Sequence, residues 1–146
     1  MIRHTAAPTH RQGIGESVTI RRVIGWDIGG VNTKVARVVR GEVLAVRRRP
    51  FELQRDPAAL VPLLRDLAGE IGAGTDDTHA VTMTAELSQM FRTKREGVAF
   101  VLDAVEAAFP RSLIQVFAVD GRFLAPAQAR QERLAVAAAN WAATAH

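Results

Sequence analysis

The chain of 146 residues contains no cysteine. That absence excludes a disulfide framework, a thiolate nucleophile, an iron–sulfur cluster and any cysteine zinc site, and oxygen ligands are expected for the remaining metal chemistry. Long apolar runs are also lacking. None approaches the roughly 20 residues of a bilayer span, and the charged start has no apolar core of a secretory signal. A cytoplasmic protein with no membrane partner is the expectation. Lysine is scarce, for among 19 cationic residues only Lys34 and Lys94 are not arginine, and both flank candidate loops. A strong excess of one charge is missing too: the net +4 lies mostly in the first 22 residues, which hold four Arg against Glu16. The remainder is near neutrality, and no nucleic-acid surface is expected.

At 48% hydrophobic and 23% charged residues, the composition fits one globular domain. Residues 1–22 carry Pro8, Gly13, Gly15 and scattered Arg without helical or strand periodicity, and a disordered leader is expected there. The folded body is expected over 23–146. Val23 to Asp27 reads as a strand, Gly29-Gly30 as a turn, Val35 to Val39 as a second strand and Val43 to Arg49 as a third, joined at Gly41-Glu42. Asp56-Pro57 opens a helix with Leu60, Val61, Leu64, Leu67, Ala68 and Ile71 at helical spacing, closed by Gly72 and Gly74. Ala80 to Thr84 is a short strand. Val98, Val101, Leu102, Val105 and Phe109 mark a second helix that Pro110 ends, and Leu113 to Val119 is a further strand before the Asp120-Gly121 turn. From Pro126 one last helix is expected, with Leu134, Ala137, Ala138, Trp141 and Ala145 on one stripe. A three-strand meander followed by alternating helices and strands predicts an α/β, ribonuclease-H-like mixed sheet.

The strongest chemical signal is Asp27-Ile28-Gly29-Gly30-Val31-Asn32-Thr33-Lys34. Two glycines permit a turn with positive φ whose N–H groups approach an oxyanion, while Asn32, Thr33 and Lys34 add donors and a positive charge. Asp27 stands where a phosphate-bound Mg²⁺ would take a hard oxygen ligand. The competing reading is a plain Gly-Gly hairpin. A second candidate is Thr93-Lys94-Arg95-Glu96, a capping box whose Lys94 and Arg95 lie at the positive end of a helix dipole, an arrangement that favours an anion there. Two solvated charges would serve as well. Glu86, just after the fourth strand, is a candidate general base or Mg²⁺ ligand, or else an exposed loop carboxylate. Arg47, Arg48 and Arg49 alternate between the two faces of a strand and can meet an anion or simply guard an edge. His79 reads as the filler of a helix–strand junction, and Trp26 and Trp141 as core or interface residues.

The segment Ile24 to Lys34 resembles the first phosphate loop of the actin, sugar-kinase and heat-shock-chaperone superfamily. More closely, with Thr82-Met83-Thr84-Ala85-Glu86-Leu87, Thr93 to Val98 and Ala137-Ala138-Ala139-Asn140-Trp141, the chain resembles hydantoinase A/oxoprolinase-like proteins of the tetrahydromethanopterin-linked one-carbon pathway. The resemblance runs from about Val23 to the end. It implies a transferase of methanofuran-type biosynthesis that couples an aminomethylfuran diphosphate to the amine of a glutamyl-tyramine with loss of pyrophosphate. It further implies an actin-like lobe, with Gly29, Gly30, Asn32, Thr33 and Lys34 on phosphate, Asp27 on Mg²⁺, and Glu86, Lys94 and Arg95 in catalysis. Val31 stands where the superfamily's kinases commonly carry Thr or Ser, which disfavours ATP. Members of the family are about twice as long, so the resemblance also implies an N-terminal lobe that is completed by a separately encoded C-terminal lobe or a homo-oligomer, and inactive alone. Alternatives are the lobe of a small-molecule kinase, a nuclease using Asp27 with Glu70 or Glu86, and a non-catalytic binding module.

Overall fold

The computed structural model describes residues 21–139, 142 and 143. The expected disorder of the leader therefore lies largely outside the described residues, although Arg22 already opens the first strand. Six strands form one sheet in the order β3-β2-β1-β4-β5-β6. The first three are an antiparallel meander, β1 (Arg22–Ile28), β2 (Asn32–Val39) and β3 (Glu42–Pro50), and their alternating residues explain their pairing. Arg40 and Gly41 join β2 to β3 with φ of 53° and 80°, the left-handed pair that a two-residue hairpin requires. β4 (Thr78–Met83) lies parallel to β1, and β5 (Ile114–Phe117) lies parallel to β4. This order, with helices as the crossovers, is the expected ribonuclease-H-like arrangement.

Helix α1 (Leu60–Glu70) carries β3 to β4, and α2 (Lys94–Ala108) carries β4 to β5. Asp56 does not cap α1. Pro57 instead opens a short 3-10 turn through Ala59, and Gly72 ends the helix with φ 72°. Both helices pack on one face of the sheet. Leu60, Leu64 and Leu67 from α1 and Val98, Val101, Leu102 and Val105 from α2 meet Ile24, Trp26, Ile28, Val35, Val81 and Met83 in one buried cluster. At roughly 25 cal/mol per Å² of apolar area, this cluster is the dominant favourable term in folding.

The end of the chain departs from expectation in two ways. A short strand, β6 (Phe123–Leu124), pairs with β5 after the Asp120-Gly121 turn. The single last helix is instead α3 (Pro126–Gln131) and a one-turn α4 (Arg133–Val136), broken at Glu132. Arg130 ties α3 to Asp103 and Glu106 of α2. Ala137 then leaves helical geometry to bridge Met83, and Ala138 takes φ 52°. The predicted apolar stripe therefore does not form. Leu134 is 70% exposed, Ala138 lies beyond the helix, and Trp141 and Ala145 fall outside the described residues.

Candidate functional site

The C-terminal ends of β1 and β4 place the Gly29-Gly30 turn, the Thr84–Ser88 segment and the start of α2 along one edge. The turn is tight: the Gly29 N–H donates to the Asn32 carbonyl at 2.9 Å. Its glycines do not take the positive φ that the sequence led one to expect. Gly29 is required by crowding, since a Cβ there would stand 2.8 Å from the Asn32 carbonyl oxygen and 3.4 Å from Thr84 Oγ1. Gly30 lies against Ser88.

The carbonyls of the turn face back into the chain. Gly30 O accepts from Leu53 N–H and Val31 O from Phe51 N–H, both at 2.9 Å. Among the described residues, the N–H groups of Gly30 and Val31 donate to no backbone partner outside the strand ladders. Two consecutive amides without backbone partners are free to donate to an oxyanion.

Beside this turn, on the sheet face opposite α1 and α2, a charged row crosses the strands. Asp27 pairs in register with Lys34, and Lys34 with Arg48. Lys34 Nζ stands 3.8 Å from Asp27 Oδ2, with both side chains partly exposed. Arg48 Nε donates to Asn32 Oδ1 at 3.2 Å. Asp27, Asn32 and Lys34 are thus gathered as expected, with Arg48 added. Thr33 is not. It shares the inward face with Val35, is fully buried, and its Oγ1 has no partner, so it cannot reach a phosphate at the turn. Strand alternation with Val35 carried that signal in the sequence.

Arg47 and Arg49 point to the helix-covered side, where both pair with Glu70 at the end of α1. Glu70 and Asp27 consequently lie on opposite faces, which removes that carboxylate pair from the nuclease reading. Among the described residues, no group of three His, Asp or Glu can hold a metal ion. Asp27 alone, with Lys34 beside it, fits Mg²⁺ carried in on a diphosphate and largely water-ligated, and does not fit an ion held by protein alone.

The capping box is present in modified form. Thr93 Oγ1 accepts from Glu96 N–H at 3.2 Å, while Glu96 Oε2 accepts from Arg92 N–H at 3.0 Å. Lys94 and Arg95 are exposed, and among the described residues neither forms an ion pair. Glu86 is the main surprise. It is buried, not an exposed loop carboxylate, in a 3-10 turn of Ala85–Leu87. Its backbone presses on Gly97 of α2, where a Cβ would come within 2.6 Å of Glu86 Cα. Its Oε1 accepts the Ala138 N–H at 2.5 Å, and Oε2 is buried without a partner. Burial raises its pKa, opposed by the backbone hydrogen bonds and by Lys94. As placed, Glu86 is buried with one carboxylate oxygen committed to Ala138. Thr84 and Ser88 were not singled out for this edge, and Arg48 only as one of three arginines that can meet an anion; their contacts in the fold bring them here.

His79 occupies the junction expected of it. Trp26 Nε1 donates to its Nδ1 at 3.0 Å, Phe109 stacks on its ring, and burial lowers its pKa to about 4 despite the nearby Asp77.

Residues 77–146 match the hydantoinase/oxoprolinase family. Over 123 residues, 84% of the chain, the sequence is 37% identical to the (4-{4-[2-(gamma-L-glutamylamino)ethyl]phenoxymethyl}furan-2-yl)methanamine synthase of Methanocaldococcus jannaschii. Over those residues the chain is similar to hydantoinase/oxoprolinase-like proteins. It spans about a third of the length of that relative, 35%. The product in the relative's name is an aryl ether in which the furan's methylene sits on the phenol oxygen, while the amine of the tyramine part is already an amide. For that relative, the expected coupling through an amine is therefore corrected to coupling through a phenol. Among solved structures, a Bacteroides thetaiotaomicron protein with an actin-like ATPase fold and unknown function aligns with 64% of this chain and 32% of its own at 10% identity and a TM-score of 0.43. An Aquifex aeolicus member of the Ppx/GppA family aligns with 65% and 34% at 16% identity and a TM-score of 0.35. The fold assignment rests on the strand order above.

Proposed function

We propose that this chain is the diphosphate-binding lobe of a transferase that joins a furylmethyl diphosphate to a phenol, forming an aryl ether and releasing pyrophosphate. The observation that carries this reading is the pair of amides at Gly30 and Val31 without backbone partners, with Lys34, Asn32 and Arg48 near them. The new bond joins the phenolic oxygen to the furylmethyl carbon. The bond from that carbon to the diphosphate oxygen breaks, its electron pair leaves on pyrophosphate, and the phenolic proton passes to a base. The amides and the Lys34 ammonium meet the charge that grows on the departing oxygens, an interaction stronger in the transition state than before it. Mg²⁺ bound to the diphosphate, with Asp27 as its one protein carboxylate, would supply further charge neutralisation. Lys94 and Arg95 extend the positive field at the start of α2. Glu86 holds Ala138, and through it the returning segment, against this edge. Support for a shared chemistry comes from the relative's named product; support for incompleteness comes from the chain's partial coverage of it.

The test is pyrophosphate release from a furylmethyl diphosphate with tyramine, in the presence of Mg²⁺ and of the polypeptide that corresponds to the unmatched two thirds of the relative. Release with tyramine but not with 2-phenylethylamine, which lacks the hydroxyl, supports ether formation. Equal release with both amines sinks it.

A further inference from the structure

The Gly29-Gly30 turn, the Thr84–Ser88 segment and the first turn of α2 carry three carboxylates beside them, and two are committed. Asp27 pairs with Lys34, and Glu96 accepts the Arg92 N–H. Glu86 is the third. Its Oε1 takes the Ala138 N–H, but Oε2 has no donor although the residue is only 2% exposed. Among the described residues no Lys, Arg or His forms an ion pair with it; Lys94 acts on it only at longer range. A buried carboxylate oxygen without a donor has lost its hydration with nothing in return, and an arriving cation with N–H groups removes that cost.

The position of this oxygen suits one end of a ligand whose other end lies on the glycine turn. Glu86 is the middle residue of the Ala85–Leu87 turn, and both flanks of that turn touch the glycines: Thr84 Oγ1 lies 3.4 Å from where a Gly29 Cβ would stand, and Ser88 Cβ 4.0 Å from that of Gly30. From there the Glu86 side chain runs to Ala138. Ala138 itself keeps φ at 52°, a region that costs energy for a residue with a Cβ, so this segment gives way readily to a donor that competes for the carboxylate. The relative's named product is a methanamine, whose furan bears an aminomethyl group at one ring position and the ether methylene at another. Such an amine is an ammonium at neutral pH.

We infer that Glu86 is a specificity-determining residue whose Oε2 accepts a hydrogen bond from an ammonium carried by the diphosphate substrate, so that the site selects an aminomethyl-bearing furylmethyl diphosphate over one without the amine. This rests on the reading of the glycine turn as a diphosphate site. Opposite charges then hold the two ends of the substrate, the amides and Lys34 on the diphosphate and Glu86 on the ammonium, and the furylmethyl carbon is fixed between them. The bound ammonium also favours the ionised carboxylate that burial disfavours.

The test is equilibrium binding to the whole chain. Isothermal titration with Mg²⁺ present compares a furylmethyl diphosphate that carries an aminomethyl group on the ring with the same diphosphate lacking it. The wild type should bind the amine-bearing ligand about 10- to 100-fold more tightly. Glu86→Gln keeps an oxygen for the Ala138 N–H but not the charge, and should bring the two affinities together by weakening the amine-bearing ligand alone. Should Glu86→Gln fail to fold, carboxyl-carbon NMR of the wild type decides: the Glu86 signal should move with the amine-bearing ligand and stay in place with the bare one. Equal affinities in the wild type, a preference that survives Glu86→Gln, a preference that Asp27→Asn abolishes in its place, or a Glu86 signal that responds alike to both ligands overturns the assignment of Glu86 and spares the diphosphate reading. Binding of neither diphosphate overturns that reading itself, and this inference with it.

Discussion

His79 keeps its imidazole neutral because both its environment and its partner demand it: the ring is buried between Trp26 and Phe109, and Nδ1 must accept the Trp26 indole proton. Its folded pKa of about 4 lies below the unfolded 6.5, so the unfolded chain binds the extra proton between those values. Stability from this residue is therefore full above pH 6.5, falls as pH drops toward 4, and then levels, a span of about 3 kcal/mol at 1.36 kcal/mol per unit. Urea denaturation of the wild type and His79→Gln at pH 7 and pH 4.5 should show a steeper acid loss in the wild type. Parallel losses would assign the slope elsewhere. Glu86 has the opposite sign. Its raised pKa means that its contribution is greatest below the unfolded carboxylate range and is lost as pH rises through the folded value, so Glu86→Gln should gain stability at pH 8 relative to the wild type. At the charged row, Lys34→Gln should abolish most of the melting-temperature rise given by pyrophosphate, since a ligand of the folded state stabilises it by mass action. Asp27→Asn should remove only the part that needs Mg²⁺; an identical rise in the variant, with and without Mg²⁺, would dismiss Asp27 as a metal-linked ligand.

At the scale of elements, the closest approach in the candidate site is that of α2 to the Glu86 turn. Gly97→Ala would drive a methyl group into Glu86 backbone atoms, and overpacking of this kind costs about 1–3 kcal/mol. A midpoint shift of that size in denaturant, with α2 otherwise intact by circular dichroism, is the expected result. The strands and the two long helices were legible because a local pattern wrote them: period two in β1 and β2, the i, i+3, i+4, i+7 spacing in α1 and α2. Thr93 and Glu96 announced the start of α2 in the same way. The last helix was misread for a physical reason. The run from Ala135 to Ala139 has high helical propensity, but the Met83 bridge and the Glu86 carboxylate take its backbone groups, and long-range pairing overrides local preference. β6, only two residues long, had too little pattern to read. Of the candidate site, Asp27, Asn32 and Lys34 were legible from the turn; the inward aim of Thr33 was available from its alternation with Val35; the burial of Glu86 depends on Gly97 and Ala138, which are distant in sequence.

For the whole molecule, the described residues leave one sheet face open beside the charged edge, and the proposed function takes the chain as a lobe that presents this edge to something else. Exposed contacts to a diphosphate are screened by water, and the same contacts strengthen when a second surface closes over them. The chain alone should therefore release little or no pyrophosphate from a furylmethyl diphosphate. Rapid release by the chain alone would make it a self-sufficient transferase. Binding, unlike turnover, is expected of the turn and Lys34 without a second surface. Titration of the ¹⁵N-labelled chain with pyrophosphate and Mg²⁺, followed by amide chemical shifts, tests the central claim most directly. The account expects the largest shifts at the Gly30 and Val31 amides, with smaller ones at Asn32 and Lys34. Shifts that leave Gly30 and Val31 unmoved while the first turn of α2 responds would contradict it.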